Sequence, residues 1–332
     1  MKKNSTIFIT GGTGSFGNAF VKLTLKKYNP KKIIIYSRDE MKQWEMKNIY
    51  NSENRLNFII GDVRDYISLS KAMRGSDYVV HAAATKIVPI AEYNPFECIK
   101  TNINGAMNVI NASIENNINK VVGLSTDKAS NPINLYGATK LAADKLFIAG
   151  NDFFKKNSTM FSIVRYGNVM GSRGSIIPLF IKQSKSRNIT ITDIKMTRFM
   201  ISLKDAVNAV WTTFDDMKGG EIYINKIPSM KIIDIAKSVS KSSKIQIIGI
   251  RPGEKIHEQM ISLEDAPHTY EYKNYYKILP SLHNLSNDIK RIKNGKKVSK
   301  NFCYNSLNNK SWMKPEELKK WINNNVDIIG KI

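Results

Sequence analysis

Short apolar runs and amphipathic stretches alternate through the first half of the chain. Ser5–Thr10 (STIFIT) is an apolar run that ends in Gly-Gly, and Ser15–Lys27 follows with Phe16, Ala19, Phe20 and Leu23 at helical spacing. Lys32–Tyr36 is a second apolar run, Glu40–Tyr50 a polar helix pattern, and Leu56–Ile60 a third run with a helix near Ile67–Met73 behind it. Asp77–Ala83 predicts a fourth strand, Asn94–Asn116 a long helix, Val121–Ser125 a fifth strand, Leu135–Ala149 a helix and Met160–Tyr166 a sixth strand. Short, continuously apolar strands, each followed by an amphipathic helix, belong to a parallel sheet covered on both faces. The expected fold class is therefore α/β, doubly wound.

After about Gly167 the rhythm breaks. Short strand patterns (Ile189–Thr192, Glu221–Asn225, Lys244–Ile248) mix with helical ones (Leu203–Met217, Ile232–Ser240), and Lys314-Pro315-Glu316-Glu317 reads as a helix start. Asn284–Asn309, rich in Asn, Lys and Ser, is expected to be irregular, and no repeat occurs. The division this suggests is a dinucleotide-binding unit over 1–167 and a smaller α/β lobe over 168–332, with segments that return to the first unit. That lobe would face the C-terminal ends of the strands, where open α/β sheets bind ligands.

Composition adds constraints. The 332 residues carry 51 Lys+Arg against 28 Asp+Glu, a formal charge of +23. The lysines are spread along the whole chain beside Asn and Ile, with no arginine-rich stripe interleaved with aromatics, so the excess reads as a solvated basic surface rather than a nucleic-acid face. Such a field still favours a polyanionic small substrate such as a nucleotide. Two cysteines, Cys98 and Cys303, leave no disulfide framework and no cysteine-based zinc site, and no metal is expected. Gly11-Gly12 cuts the first apolar run short of signal-peptide length and no run is long enough for a membrane span, so a soluble cytoplasmic protein is expected.

The candidate chemistry begins at Thr10-Gly11-Gly12-Thr13-Gly14-Ser15-Phe16-Gly17, between the first strand and the first helix. Glycines there allow a tight turn and close backbone approach to a pyrophosphate, and the helix N-terminus favours the anion. This makes the sheet Rossmann-type. At the end of the second strand, Ser37 and Arg38 suit the 2′-phosphate of NADP, because a guanidinium pairs with phosphate bidentately. Asp39 and Glu40 read as the first turn of the next helix, although they keep NAD open. Tyr136 and Lys140, four residues apart on a predicted helix, share one face, and a phenol beside cations can serve as a base. The fifth strand ends in Thr126-Asp127-Lys128, which adds an acid and an amine to the hydroxyl.

The Gly-x-x-Gly-x-x-Gly spacing and the Tyr-x-x-x-Lys pair resemble the extended short-chain dehydrogenase/reductase superfamily. Thr126-Asp127-Lys128, with Lys where retaining enzymes have Glu, resembles the inverting UDP-N-acetylglucosamine 4,6-dehydratases of bacterial surface-sugar synthesis. Ser125–Lys140, Arg165–Ile177, Met196–Phe199, Arg251–Glu258, Val88–Pro95 and Asn308–Trp312 are similar to the same family, so the resemblance covers nearly the whole chain. Tyr136 matches the branch that begins pseudaminic acid synthesis. One departure is Thr85-Lys86-Ile87, where the family often has Leu-Lys-His.

The resemblance implies a reaction. Tyr136 takes the O4 proton of UDP-N-acetylglucosamine while C4 gives hydride to NADP⁺. Lys128 removes the C5 proton, Asp127 protonates O6, water leaves, hydride returns to C6, and a proton re-enters C5 from the other face. The product is UDP-2-acetamido-2,6-dideoxy-β-L-arabino-hex-4-ulose. Thr126 and Lys140 complete the catalytic set. Burial and the positive neighbours Lys86 and Lys140 are expected to lower the pKa of Lys128. Asp62 and Val63 resemble the adenine contact, Ala82 and Ala83 the small-residue wall after His81, and Lys86, Asn102 and Val169 further cofactor contacts. Asn168, Arg198, Arg251 and Glu254, with Ile176, Thr192 and Lys86, are the implied substrate contacts. A homo-oligomer, hexamer or dimer, is implied too. The alternatives are a UDP-sugar 4-epimerase, which would need Tyr136 and Lys140 alone, and a non-catalytic NADP-binding regulator, which would lack that pair.

Overall fold

The computed structural model describes residues 4–152, 159–281 and 285–329. Its first half follows the alternation: β1 (Thr6–Thr10), α1 (Ser15–Tyr28), β2 (Lys32–Ser37), α2 (Glu40–Ile49), β3 (Leu56–Ile60), α3 (Tyr66–Met73) and β4 (Tyr78–His81). Then come α4 (Val88–Tyr93), α5 (Pro95–Ile99), α6 (Gly105–Glu115), β5 (Lys120–Thr126), α7 (Leu135–Ala149) and β6 (Met160–Tyr166). The long helix expected over Asn94–Asn116 is thus broken. Pro95 begins α5, and a π-helical turn at Lys100–Asn104 separates it from α6 and turns both Thr101 and Asn102 inward. Single π turns inside helices commonly serve such local re-aiming.

The second half contains β7 (Asn168–Val169), α8 (Ile176–Ser184), β8 (Asn188–Ile191), β9 (Thr197–Ile201), α9 (Leu203–Asp216), β10 (Ile222–Asn225), β11 (Ser229–Lys231) and α10 (Ile232–Val239). It ends with β12 (Lys244–Ile247), β13 (Gln259–Ile261), β14 (Thr269–Glu271), β15 (Tyr275–Ile278), α11 (Leu285–Ile292), β16 (Lys296–Lys297), β17 (Tyr304–Asn305) and α12 (Pro315–Asn325). The stretch expected to be irregular therefore holds a helix and two short strands, while Asn284 lies outside the described residues. Its charge content hid a buried anchor: Arg291 is 6% exposed and donates Nε to the Gly219 carbonyl at 3.0 Å.

The central sheet has ten strands in the order β16-β14-β15-β10-β6-β5-β4-β1-β2-β3. From β10 to β3 every pairing is parallel, and β15, β14 and β16 add an antiparallel edge. This is a Rossmann-type doubly wound sheet. Side-chain alternation divides each strand between two cores: Phe8, Ile34 and Tyr36 face α3, α6 and α7, whereas Ile7, Ile9, Ile33 and Ile35 face α1 and α9. Trp211 of α9 seals the second core by stacking on Phe20 and Tyr28 of α1. A third core joins α8, α10 and α12 over residues such as Phe180, Ile235 and Leu318. The strand order reverses between β1 and β4, and the crevice outside the C-terminal ends of the strands at that point is where such sheets take ligands. Among the described residues no helix is long and apolar enough to cross a membrane.

Candidate active site

Two cavities meet at this edge of the sheet. The first, about 750 Å³, runs along the glycine loop past the ends of β2, β3 and β4. Gly11, Thr13, Gly14, Ser15, Phe16 and Gly17 form its floor, Ser37, Arg38, Asp62 and Val63 one end, and Ala82, Ala83, Lys86, Tyr136 and Val169 the other. Gly14 caps α1 without any side-chain hydrogen bond, which leaves the positive end of the helix facing the cavity. A Cβ on Gly17 would stand 2.2 Å from the Gly12 carbonyl oxygen, so only glycine lets helix and loop approach this closely. The floor therefore fits a dinucleotide pyrophosphate.

Asp39 is the N-cap of α2, accepting from the Lys42 amide at 3.0 Å, which agrees with its reading as a helix start. Ser37 is buried and accepts from Thr13 Oγ1 at 3.2 Å and Gln43 Nε2 at 3.0 Å, whereas Arg38 is 58% exposed and reaches Asp62 Oδ2 at 3.6 Å. Two residues of the expected cofactor set stand behind the wall. Asn102 is 1% exposed, and its amide is spent on the Thr85 backbone (2.8 and 2.9 Å) and Thr139 Oγ1 (3.0 Å). Lys140 is also buried; burial lowers its pKa and the Asp144 carboxylate opposes that. Sequence reasoning missed Arg173, which lines both cavities and follows no periodic element. His81 is neutral: burial first, then Lys140, pull its pKa down to about 3, and Nδ1 shares a 2.9 Å hydrogen bond with Thr10.

The second cavity, about 420 Å³, lies between the sheet edge and the lobe built on α8, β8 and β9. Lys86, Asn168, Ile176, Thr192, Arg198, Arg251 and Glu254 all line it, as do Thr126, Asp127, Lys128 and Tyr136. Lys86, Thr126, Tyr136 and Val169 belong to both cavities, so the two are continuous. Arg251 and Glu254 pair with each other at 2.6 Å at the mouth. Arg198 is no surface ion pair, since it is 8% exposed and donates Nη1 to the carbonyls of Thr197 (2.8 Å) and Ile256 (3.0 Å). Asn168 Oδ1 is buried without a partner among the described residues.

The reactive cluster forms where β5 ends. Thr126 closes the strand, Asp127–Ala129 make a 3₁₀ turn, and Asn134 caps α7 by accepting from the Gly137 amide at 2.7 Å. A Cβ on Gly137 would lie 2.3 Å from the Lys128 carbonyl oxygen, so glycine there brings the first turn of α7, with Tyr136, against that turn. Thr126 Oγ1 donates to Asp127 Oδ1 at 3.1 Å, and a hydrogen bond between Thr126 and Tyr136 favours the phenolate. Lys128 Nζ donates to Asp127 Oδ1 at 3.0 Å and lies 3.0 Å from Glu258 Oε1.

Electrostatics departs from the sequence expectation here. Burial pulls the Lys128 ammonium down, but the Asp127 and Glu258 carboxylates outweigh it and hold the pKa above the ordinary lysine range. The cations that interact with Lys128 are Arg198 and Lys255; its expected neighbours Lys86 and Lys140 are not among them. Burial raises Asp127, with Glu258 adding and Lys128 opposing. Burial likewise pushes the Tyr136 phenol up to about 12, against the pull of Lys128. Glu258 itself was missed because nothing periodic links it to Lys128; the motif Arg251–Glu258 ended on it without giving it a role.

The chain is similar to known proteins over nearly its whole length. Residues 7–280 match the family model described as polysaccharide biosynthesis protein. The chain is 54% identical, over 97% of its length and 98% of the relative's, to an inverting UDP-N-acetylglucosamine 4,6-dehydratase of Campylobacter jejuni. It is 44% identical to a UDP-glucose 4-epimerase of Rickettsia akari, over 96% and 95% of the two chains. The structure of Pen from Bacillus thuringiensis superposes with a TM-score of 0.88 at 36% identity, covering 97% and 99%. The chain belongs to the polysaccharide biosynthesis protein family, the family of the inverting UDP-N-acetylglucosamine 4,6-dehydratases that it resembles.

Proposed function

We propose that this protein is a UDP-N-acetylglucosamine 4,6-dehydratase that inverts C5, with NADP as its resident cofactor. The observation that carries the reading is the meeting of an acid, an amine and a phenol (Asp127, Lys128 and Tyr136) where the dinucleotide cavity opens into the second one. The glycine loop and the α1 N-terminus would hold the pyrophosphate, Ser37 and Arg38 the 2′-phosphate. A nicotinamide bound there supplies a hydride acceptor for the C4 hydrogen that later returns it at C6.

The protein's own part is proton traffic. Tyr136 accepts the O4 proton; burial opposes its ionisation and the Lys128 ammonium favours it. The C4 ketone then acidifies C5. Lys128 takes the C5 proton while Asp127 protonates O6, so that water leaves. These roles need a neutral amine beside a protonated acid; burial favours the protonated Asp127 while the carboxylates around Lys128 favour its ammonium, so the neutral pair competes with the ion pair. Both forms hold the same number of protons, and one proton moved across 3.0 Å interconverts them, so the two groups act as a coupled pair. A proton then re-enters C5 on the opposite face from the surrounding water, and Lys128 passes the proton it took to that water. At the end of the cycle Tyr136 is one proton richer and Asp127 one poorer, and the Thr126 hydroxyl that both groups bond offers the route for the reset.

The test is turnover of UDP-N-acetylglucosamine in D₂O, followed by NMR. Deuterium at C5, with the C4 hydrogen carried within the molecule to C6, is the expected result; net release of reduced cofactor rules the scheme out. The 44% identity to a protein named as a 4-epimerase gives a second reading, in which the product keeps O6 and only the configuration at C4 changes. The same spectra separate the two.

A further inference from the structure

In the proposed reaction Asp127 alternates between carboxylate and carboxylic acid, so it cannot by itself keep Lys128 in one place. The structure supplies a second holder. Glu258 Oε1 lies 3.0 Å from Lys128 Nζ, the same distance as Asp127 Oδ1. Glu258 is 2% exposed and stands just before β13, far along the chain from the 3₁₀ turn. Its backbone is clamped on both sides: its N–H donates to Ser306 Oγ at 2.9 Å and its carbonyl accepts from the Ser306 amide at 2.8 Å. Ser306 is tied in turn to Thr197 by a 2.7 Å hydroxyl–hydroxyl bond. Arg198 Nε approaches Glu258 Oε1 at 3.6 Å, and Oε2 is buried without a partner among the described residues.

We propose that Glu258 is a positioning residue, which anchors the Lys128 amine while Asp127 gains and loses its proton. The inference rests on the dehydratase reading above. The charged and titratable groups that face Lys128 are Asp127 on the same turn, Glu258 before β13, Arg198 on β9, Tyr136 on α7 and Lys255, which acts on both carboxylates and, as a like charge, on Lys128 itself. Burial raises the Glu258 carboxyl, but Lys128 and Arg198 outweigh it and hold Glu258 below the ordinary glutamate range, while Asp127 is held above the aspartate range. Environments that push two carboxyls apart assign them different work. The ionised one stays a fixed counter-charge and the other is free to act as an acid. Without that anchor a lysine on a flexible four-carbon stem loses its placement whenever Asp127 is neutral.

The test compares wild type, Glu258→Gln and Glu258→Asp, each shown folded by its melting curve. Gln keeps the shape and removes the charge. Its kcat is expected to fall about 10- to 100-fold with KM changed less than about threefold. The alkaline limb of its kcat–pH profile moves to lower pH, because Lys128 has lost a stabilising carboxylate. Asp keeps the charge, so its limb stays near that of wild type even if kcat drops. The Lys128 ammonium titration, followed by NMR without substrate, gives the same comparison independently of turnover. Wild-type protein inert toward the sugar nucleotide sinks the dehydratase reading alone. A Lys128 titration that Glu258→Gln leaves unmoved, or that Glu258→Asp moves equally far, overturns the anchoring role.

Discussion

Thr126 donates its hydroxyl to Asp127 at 3.1 Å while Tyr136 bonds the same oxygen, so one side chain joins the phenol and the acid of the proposed reaction. Thr126 Oγ1 also accepts from the Lys128 amide at 3.3 Å, which shapes the turn that carries both groups. Thr126→Val preserves volume and removes every one of these bonds. Steady-state kcat is expected to fall on the order of 100-fold, and Thr126→Ser should restore most of it. Rapid-quench comparison of the first and later turnovers tests the reset route: the later ones should suffer more. Equal loss in both would leave Thr126 as a positioning group alone.

In the proposed reading the preference for NADP turns on Arg38. Its guanidinium is exposed and tethered only loosely, at 3.6 Å, to Asp62, so it can pair with a phosphate at little cost. A charge-assisted bond of this kind contributes about 1.5–3 kcal/mol, so Arg38→Ala should weaken NADP binding at least about tenfold and NAD binding much less. Titration calorimetry with both dinucleotides reads the difference. Equal effects on the two would move the phosphate contact to Lys42, which lines the same cavity.

Much of this site was legible in the sequence because its parts are local. The glycine loop, Thr126–Lys128 and Tyr136 each sit on one turn or one strand end, and the strand–helix rhythm brings them to the same edge, while Lys140, one turn further along α7, stands behind the wall. The roles of Asn102 and Glu258 were not legible for the opposite reason. Asn102 is turned inward by a π-helical insertion that no hydrophobic period announces, and the side chain meets Thr85 instead of the cavity. Glu258 reaches Lys128 only through the Ser306 clamp, a contact between distant parts of the chain. The sign of the Lys128 shift failed with it, since two buried carboxylates replaced the cations expected there.

Gly17 offers a test of the cradle that needs no substrate. An added methyl would meet the Gly12 carbonyl at 2.2 Å and its carbonyl carbon at 2.4 Å, both backbone atoms that cannot rotate aside. Either α1 must lift from the loop or the loop must open. Gly17→Ala is expected to cost about 1–3 kcal/mol or more of stability and to abolish dinucleotide binding, read by thermal melting with and without NADP. A wild-type melting temperature with normal cofactor stabilisation would show that helix and loop do not pack this tightly.

Acid sensitivity should come in part from His81. Its folded pKa lies near 3, well below the ordinary histidine value of 6.5, because the ring is buried beside the Lys140 charge. An unfolded chain therefore binds a proton at this site across the window between those values, and the folded chain does not. Stability from this residue is full above pH 6.5 and is lost progressively as pH falls toward 3. His81→Asn keeps a polar group that can still meet Thr10 Oγ1 and removes the titration. The variant is expected to be less stable than wild type at neutral pH, yet to lose less stability between pH 7 and pH 4 in denaturant melts. Parallel losses in the two proteins would place the acid-sensitive group elsewhere.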